Sequence, residues 1–426
     1  MLLKKIHIRN FKGFVDNTFE FRDNFTVIIG NNGSGKTSIL DALSIAAGCF
    51  LIPLGNGSKY QRTIHKGEIR IHETNKSVFE PQLPCEIEAE GDHWGIWKRS
   101  IESHSYTNTQ KYAKTIVSVA DRTLKEATVS DGISLPIIAY YDSGRVWANL
   151  NDKIEYVKQG SRLDGYDNCF SVKSSSKSFR NWYKTLEKNI DQKNSEELVQ
   201  RLQTFKQAIL NCLEDWDNLY YDFAEDDIVC VRENEDSTKT SVPYRLMSDG
   251  YRNMIGMIAD IAYRCIKLNP SLGANALTET NGLVLIDELD LHLHPQWQKK
   301  IVSELTKCFP KIQFVATTHS PFIVQSLRKE QIINLEPIEF NDEPQDVSLE
   351  MNALYMGVQS VRSNNFDEKV QAARSFYNAL NEYDGTEERR NQIEETFSKH
   401  MINYSTDPAF VAQLELAKIA TLEGRR

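Results

Sequence analysis

The chain has 426 residues, which at roughly 150 residues per domain predicts two or three structural units. Its 50 Lys+Arg against 59 Asp+Glu give a net charge of −9, which excludes the global basic excess of an obligate nucleic-acid coat. With 40% hydrophobic and 10% aromatic residues it can bury a core, which excludes intrinsic disorder. The opening MLLKKIHIRNF alternates apolar with polar residues and lacks a long apolar stretch, so it is expected to be an edge strand and not a signal peptide. Phe19 and Phe21 flank Glu20 in a second strand pattern, and Val27-Ile28-Ile29 is a short buried run. From Ser38 to Leu51 the spacing predicts a helix with Ile39, Leu43, Ala46 and Ala47 on one face. The apolar run Ile45 to Leu54 is about half of what a membrane span needs. Residues 53–135 mix turns with alternating stretches such as Cys85–Ala89 and Trp94–Lys98, the pattern of an antiparallel half, and Pro136–Tyr140 reads as a core strand.

Near residue 173 the texture changes. Phe179, Trp182, Tyr183, Leu186 and Ile190 lie at helical spacing, as do Leu198, Leu202, Phe205, Ile209 and Leu213, with a polar turn between them. This predicts an antiparallel helical hairpin with arms on the order of 20–27 Å, too short for a chromosome-scale coiled coil. Residues 214–236 hold ten acids and one base and are expected to form a solvated face. Strands are expected at 281–286, 313–317 and 332–335, and helices at 249–267 and 295–308. Beyond residue 350 the pattern is purely helical, with apolar stripes that need a partner within the chain or from another subunit. Seven cysteines are scattered without a CxxC, which argues for reduced thiols in a cytoplasmic protein and against a disulfide framework or zinc ribbon.

Three segments carry chemistry. Gly30 to Thr37 (GNNGSGKT) matches GxxxxGK[ST] and lies between a short apolar strand and a helix. Its glycines let the backbone curl so that N–H groups from Asn31, Asn32, Gly33, Ser34, Gly35 and onward to Ser38 meet phosphate oxygens, helped by the helix N-terminus. Lys36 is expected on the β/γ-phosphates and the Thr37 hydroxyl on magnesium. Gly282–Glu288 is an apolar strand ending in two carboxylates, which belong at the carboxyl edge of a sheet. Asp287 is expected to hold the metal through its water shell, and Glu288 to polarise the attacking water. Phe314–Ser320 is a strand ending in His319, which is expected beside the P-loop as a γ-phosphate donor that orients the water.

The order GNNGSGKTS, LMSDGYRN, LVLIDELDLHLHP, VATTHSP, with IHIRNFKGF at the start, resembles the ABC-type head of the ATPases related to structural-maintenance-of-chromosomes proteins, RecF and the overcoming-lysogenisation-defect nucleases. Within that group it is similar to the compact ATPases of bacterial antiphage systems, such as the PtuA subunit of Septu and those of some retrons, which work beside an HNH nuclease. The resemblance implies that Ser248 and Gly250 occupy the ABC signature, facing the γ-phosphate of a second subunit. The signature here is MSDGY in place of LSGGQ, and an N-capping Ser-Asp is the alternative. Leu289–His294 matches the D-loop, and HLHP recurs in the family without a metal, so His292 and His294 are not expected to ligate one. The Q-loop stretch 140–145 lacks a glutamine, leaving Arg145 as a phosphate sensor there. No DxD follows residue 336 and no HNH-like Cys/His cluster is present, so no nuclease of its own is expected.

The expected fold is α/β, a P-loop NTPase with an ABC-type head of two lobes and a mixed sheet. Residues 1–150 would form the N-terminal lobe, 151–225 an inserted helical hairpin, 226–345 the C-terminal lobe and 346–426 a helical tail. The implied function is an ATP- and Mg²⁺-dependent switch in which two heads sandwich ATP. Tail or hairpin would relay the change to a nuclease in an antiphage complex, through which nucleic acid is touched, away from any membrane. The alternatives are a nucleotide-sensing oligomeric scaffold with little turnover, and a RecF-like repair ATPase, for which the local basicity at Lys4, Lys5, Arg9, Lys12 and around 173–188 speaks.

Overall fold

A computed structural model of the chain describes residues 2–55, 60, 62–73, 79–92, 94–144, 160–170, 172–193, 195–213, 216–234, 236–358, 364–404 and 407–423. Phe25–Ile29, Gly282–Ile286, Ile312–Thr317 and Ile137–Tyr141 are buried along their whole length, as near-continuous apolar runs must be when both faces of a sheet are covered. With Ile332–Asn334 they form one parallel sheet. Its order is Ile332–Asn334, Phe25–Ile29, Ile312–Thr317, Gly282–Ile286, Ile137–Tyr141. Because the strands are parallel, the chain leaves all five at the same edge, and their exit residues gather there: Gly30, Thr318, Asp287, Asp142 and Leu335.

The antiparallel half is a separate sheet in the order Phe14–Glu20, Leu3–Phe11, Cys85–Gly91, Gly95–Ile101, Asn108–Thr109. Leu3–Phe11 is therefore not the edge strand its alternation suggested, since it pairs with Phe14–Glu20 on one side and Cys85–Gly91 on the other. Alternation reports one buried face but is silent on how many neighbours a strand has. Gln313 ties the two sheets together: its amide accepts from the Leu3 N–H (2.8 Å) and donates to the Leu3 and Arg22 carbonyls. The helix Lys36–Gly48 packs against both sheets, and the Trp97 indole donates to its Ala46 carbonyl at 3.0 Å. Lys36–Leu54 is the one stretch among the described residues long and apolar enough to cross a membrane, and 72% of its most apolar window is buried inside the protein.

Val172–Lys193 and Glu196–Cys212 form the helical pair. The first has 22 residues, about 33 Å at 1.5 Å per residue, longer than expected because its polar first turns carry no apolar signal. The pair packs on the helix Asp249–Leu268, with Trp182 against Phe205 (5.2 Å) and Tyr263 (5.4 Å). The acidic segment is more than a solvated face. It supplies Asn218–Asp222 and Asp227–Glu233, which pair with Lys239–Pro243 in a third sheet, with Leu219, Tyr221 and Ile228 turned inward. Its Asp227 is buried and accepts from Arg180 at 3.0 Å, while Asp217, Glu225 and Glu233 stay exposed. The expected helix at 295–308 is two, Pro295–Gln298 and Ile301–Cys308.

By its contacts the chain divides into Met1–Gly357 and Val358–Arg426. The short helix Leu349–Tyr355 belongs to the first unit, where Tyr355 packs on Phe340 at 4.4 Å. The second unit is three helices, Asn364–Asn381, Glu387–Asn403 and Pro408–Glu423, around Phe376, Leu380, Ile393, Phe397 and Leu414.

Candidate nucleotide site

The P-loop leaves the strand Phe25–Ile29 and enters the helix at Lys36. Gly35 has a φ of 101°, and a Cβ there would lie 2.6 Å from the Phe14 ring, so only glycine lets the loop close against the antiparallel sheet. Lys36 is buried and curls back over the loop, donating to the Gly30 carbonyl (2.7 Å) and the Asn31 carbonyl (3.0 Å). Asn31, Asn32, Gly33 and Thr37 are exposed, and Ser34, Gly35 and Ser38 are half-buried. The first N–H groups of the helix have no intrahelical acceptor and point out of this edge.

Asp287 and Glu288 follow the strand Gly282–Ile286. The Thr37 hydroxyl donates to the Asp287 carboxylate at 3.0 Å, across 250 positions of sequence. The Thr317 hydroxyl donates to the same carboxylate at 2.6 Å and accepts the Glu288 N–H at 2.8 Å. Asp287 is thereby buried and pinned, while Glu288 is half-buried with a φ of 50°. A left-handed glutamate is a sparsely populated conformation, held here by that N–H bond and aimed off the strand end. Burial lowers the Lys36 pKa from its ordinary value, against the opposing pull of Asp287 and Glu288 and then of Glu336 and Asp290.

His319 is exposed at the end of the neighbouring strand. Its backbone N–H donates to Asp290 at 3.1 Å, and the Thr318 hydroxyl donates to the same oxygen at 2.6 Å. Ser320 caps the next helix and donates to Gln298 at 2.6 Å, so the histidine turn is tied to the segment downstream of Glu288. His294 caps the helix Pro295–Gln298, its Nδ1 accepting the Gln296 N–H at 3.3 Å.

Ser248 is exposed at the N-terminus of Asp249–Leu268, and its hydroxyl makes no capping bond to that helix. No hydrogen bond among the described residues joins it to the P-loop of its own chain. Gly250 is close-packed: a Cβ there would stand 2.6 Å from the His292 carbonyl. The helix is locked to the sheet deeper down. Asp260 accepts from the Tyr141 hydroxyl and from Arg264, both at 2.7 Å, and Arg264 also donates to the Gly165 carbonyl at 2.7 Å. Arg145 lies outside the described residues.

Three participants were given no role by the sequence reading. Glu336 accepts the Asn31 N–H at 2.8 Å, Asp290 anchors the His319 turn, and Thr317 orients Asp287. Asp290 was legible as the third acid of DELD and Thr317 as part of VATTHSP; Glu336 had no local signal. The residues suit a magnesium–triphosphate. Ser34 Oγ is buried in the loop with no hydrogen-bond partner among the described residues, and the metal-facing donors are a hydroxyl and a carboxylate, the hard oxygens that Mg²⁺ selects.

The AAA ATPase domain family matches residues 1–324. The chain is similar to the Retron Vc95 probable ATPase of Vibrio cholerae serotype O1 biovar El Tor, 30% identical over 396 residues, covering 79% of this chain and 74% of the relative. It is similar to Septu protein PtuA of Bacillus thuringiensis, 27% identical over 357 residues, covering 79% and 76%. Among solved structures, an SmcHead bound to the C-winged helix domain of ScpA matches with a TM-score of 0.44 at 15% identity, covering 80% of this chain and 95% of that chain.

Proposed function

This chain belongs to the AAA ATPase domain family, and we propose that it is the ATP-hydrolysing switch of an antiphage defence complex, controlling an associated nuclease by ATP-dependent association of two heads. The retron and Septu names of its relatives support the defence setting. The observation that carries the chemistry is the meeting of Thr37 with Asp287 at the edge where Lys36, Glu288 and His319 also emerge.

In this reading Lys36 exchanges its loop carbonyls for phosphate oxygens, and the loop N–H groups with Ser34 Oγ take the rest of the phosphate chain. Thr37 and Asp287 would hold magnesium, which would supply positive charge to offset the charge developing on the phosphates. Glu288 accepts a proton from the attacking water, and His319 fixes that water against the γ-phosphate. Phosphoryl transfer needs positioning and charge stabilisation more than covalent help, which is what these groups supply. Ser248, exposed and not engaged with its own P-loop, is offered to the γ-phosphate held by a second copy. Hydrolysis removes the charge that joins the two copies, and the interface loosens. The helical pair and the C-terminal helices are the surfaces for the nuclease, and the setting is the cytoplasm.

The RecF-like alternative is weakened by the pairing of the basic residues of the first strand and the turn after it. Lys4 bonds Asp23, Lys5 lies 3.5 Å from Glu20, Arg9 lies 3.9 Å from Glu86, and Lys12 bonds Asp41. Cations matched one by one with carboxylates offer little to a phosphate backbone. The deciding experiment is Glu288→Gln, with ATP binding, turnover and self-association measured together. Binding should persist, turnover should fall by about 10²–10⁴-fold, and ATP should stabilise the dimer. Unchanged turnover would refute the reading.

A further inference from the structure

The seven cysteines are buried, but two of them are unlike the rest. Cys212 closes the second helix of the helical pair, and Cys308 closes the helix Ile301–Cys308. Their sulfurs stand 3.3 Å apart across 96 positions of sequence. No other pair of cysteines among the described residues is in hydrogen-bond contact. A disulfide needs the sulfurs at about 2.0 Å, so the two have roughly a further 1.3 Å to close.

Access and reactivity favour the same pair. Cys212 lines a pocket of about 300 Å³ open to solvent, shared with Met254, Trp297 and Lys300, which gives a small oxidant a route to the Cys212 end of the pair. Cys308 donates to the Ala208 carbonyl at 3.7 Å, leaving its sulfur to accept from the Cys212 thiol. That hydrogen bond lowers the Cys308 pKa, against its burial, and raises that of Cys212. Burial pushes the other five, Cys49, Cys85, Cys169, Cys230 and Cys265, up to about 12, where thiolate is scarce.

We propose that Cys212 and Cys308 are a peroxide-reactive dithiol whose oxidation to a disulfide staples the helical pair to the segment joining Asp287 with His319, and thereby slows ATP turnover. The thiolate of one cysteine of the pair attacks one oxygen of hydrogen peroxide, the O–O bond breaks, and hydroxide leaves and is protonated to water. The sulfur of the other cysteine then attacks the resulting sulfenic acid, the S–O bond breaks, the S–S bond forms, and a second water departs with the thiol proton. Two thiols lose two electrons and one peroxide becomes two waters. The staple bears on the site because Ile301–Cys308 lies between the D-loop and the strand that delivers Thr317 and His319.

The test treats the full chain with hydrogen peroxide, counts free thiols, maps disulfide-linked peptides and measures ATP turnover before and after dithiothreitol. The expected result is loss of two of the seven thiols, a Cys212–Cys308 linkage, and a fall in turnover that dithiothreitol reverses. Cys212→Ser and Cys308→Ser should each abolish both the linkage and the fall; a variant that does not fold is replaced by the alanine at the same position. Peroxide that leaves the seven thiols free, or consumes thiols without this linkage, overturns the proposal. So does a linkage that leaves turnover unchanged.

Discussion

The Thr37 hydroxyl donates to the Asp287 carboxylate at 3.0 Å, joining the start of the P-loop helix to the end of a strand 250 positions later. Because Thr317 holds the other side of the same carboxylate, the pair is a fixed oxygen cradle. Asp287→Ala should therefore abolish magnesium-dependent ATP turnover. Thr317→Val, which removes one of the two hydroxyls holding Asp287 and frees the Glu288 N–H, should lower kcat more than it raises KM. Steady-state kinetics with varied Mg²⁺ separates the two; equal effects on kcat and KM in Thr317→Val would contradict an orienting role.

Lys36 links the site to pH. Burial depresses its pKa below the ordinary 10.5, so on the alkaline side a fraction of the folded protein has a neutral Lys36. A phosphate anion favours the charged form, so ATP binding should draw in a proton there, and affinity should decline as pH rises through the depressed pKa. The linked stability has the opposite sense: the folded state binds fewer protons than the unfolded in that window, so this lysine's unfavourable contribution eases as pH rises. Calorimetry in buffers of different ionisation enthalpy would report the uptake, and Lys36→Ala should remove it.

Gly250 touches the D-loop backbone, with room for no Cβ between its Cα and the His292 carbonyl. Gly250→Ala should push these segments apart at a cost of about 1–3 kcal/mol. It should weaken ATP-dependent self-association more than it weakens ATP binding to a single chain. Sedimentation of the Glu288→Gln protein with and without the second change would measure this; identical dimer populations would count against the signature assignment.

The buried Asp260–Arg264 pair, with the Tyr141 hydroxyl, fastens the helix that carries Ser248 to the strand that ends beside Asp287. Removing one partner strands the other charge. Arg264→Met should destabilise the protein by about 3–5 kcal/mol, whereas replacing Asp260 and Arg264 together by apolar residues of similar volume should recover most of it. Denaturant unfolding of the single and double variants decides the point.

Removal of Val358–Arg426 distinguishes the switch from the scaffold reading. These residues form a unit with its own core, so a chain ending at Gly357 should keep ATP turnover within about two-fold. If nuclease binding survives Lys36→Ala but fails on this truncation, the scaffold reading gains.

Residues alone disclosed whatever is encoded by neighbours in the chain. A phosphate loop needs its glycines, lysine and threonine in consecutive positions, so Gly30 to Thr37 announce themselves, and an apolar run ending in Asp287-Glu288 announces a buried strand with charges at its end. Strand existence was also local, because Phe25–Ile29, Gly282–Ile286 and Ile312–Thr317 each lack a polar face. Tertiary structure decided who stands next to whom. Leu3–Phe11 became an inner strand, the acidic run became a sheet with Asp227 paired to Arg180, and Glu336, Asp290 and Thr317 entered the site. Each of these depends on which distant segments lie side by side, which is decided when they cover one another's apolar faces and is written in the sequence of neither partner alone.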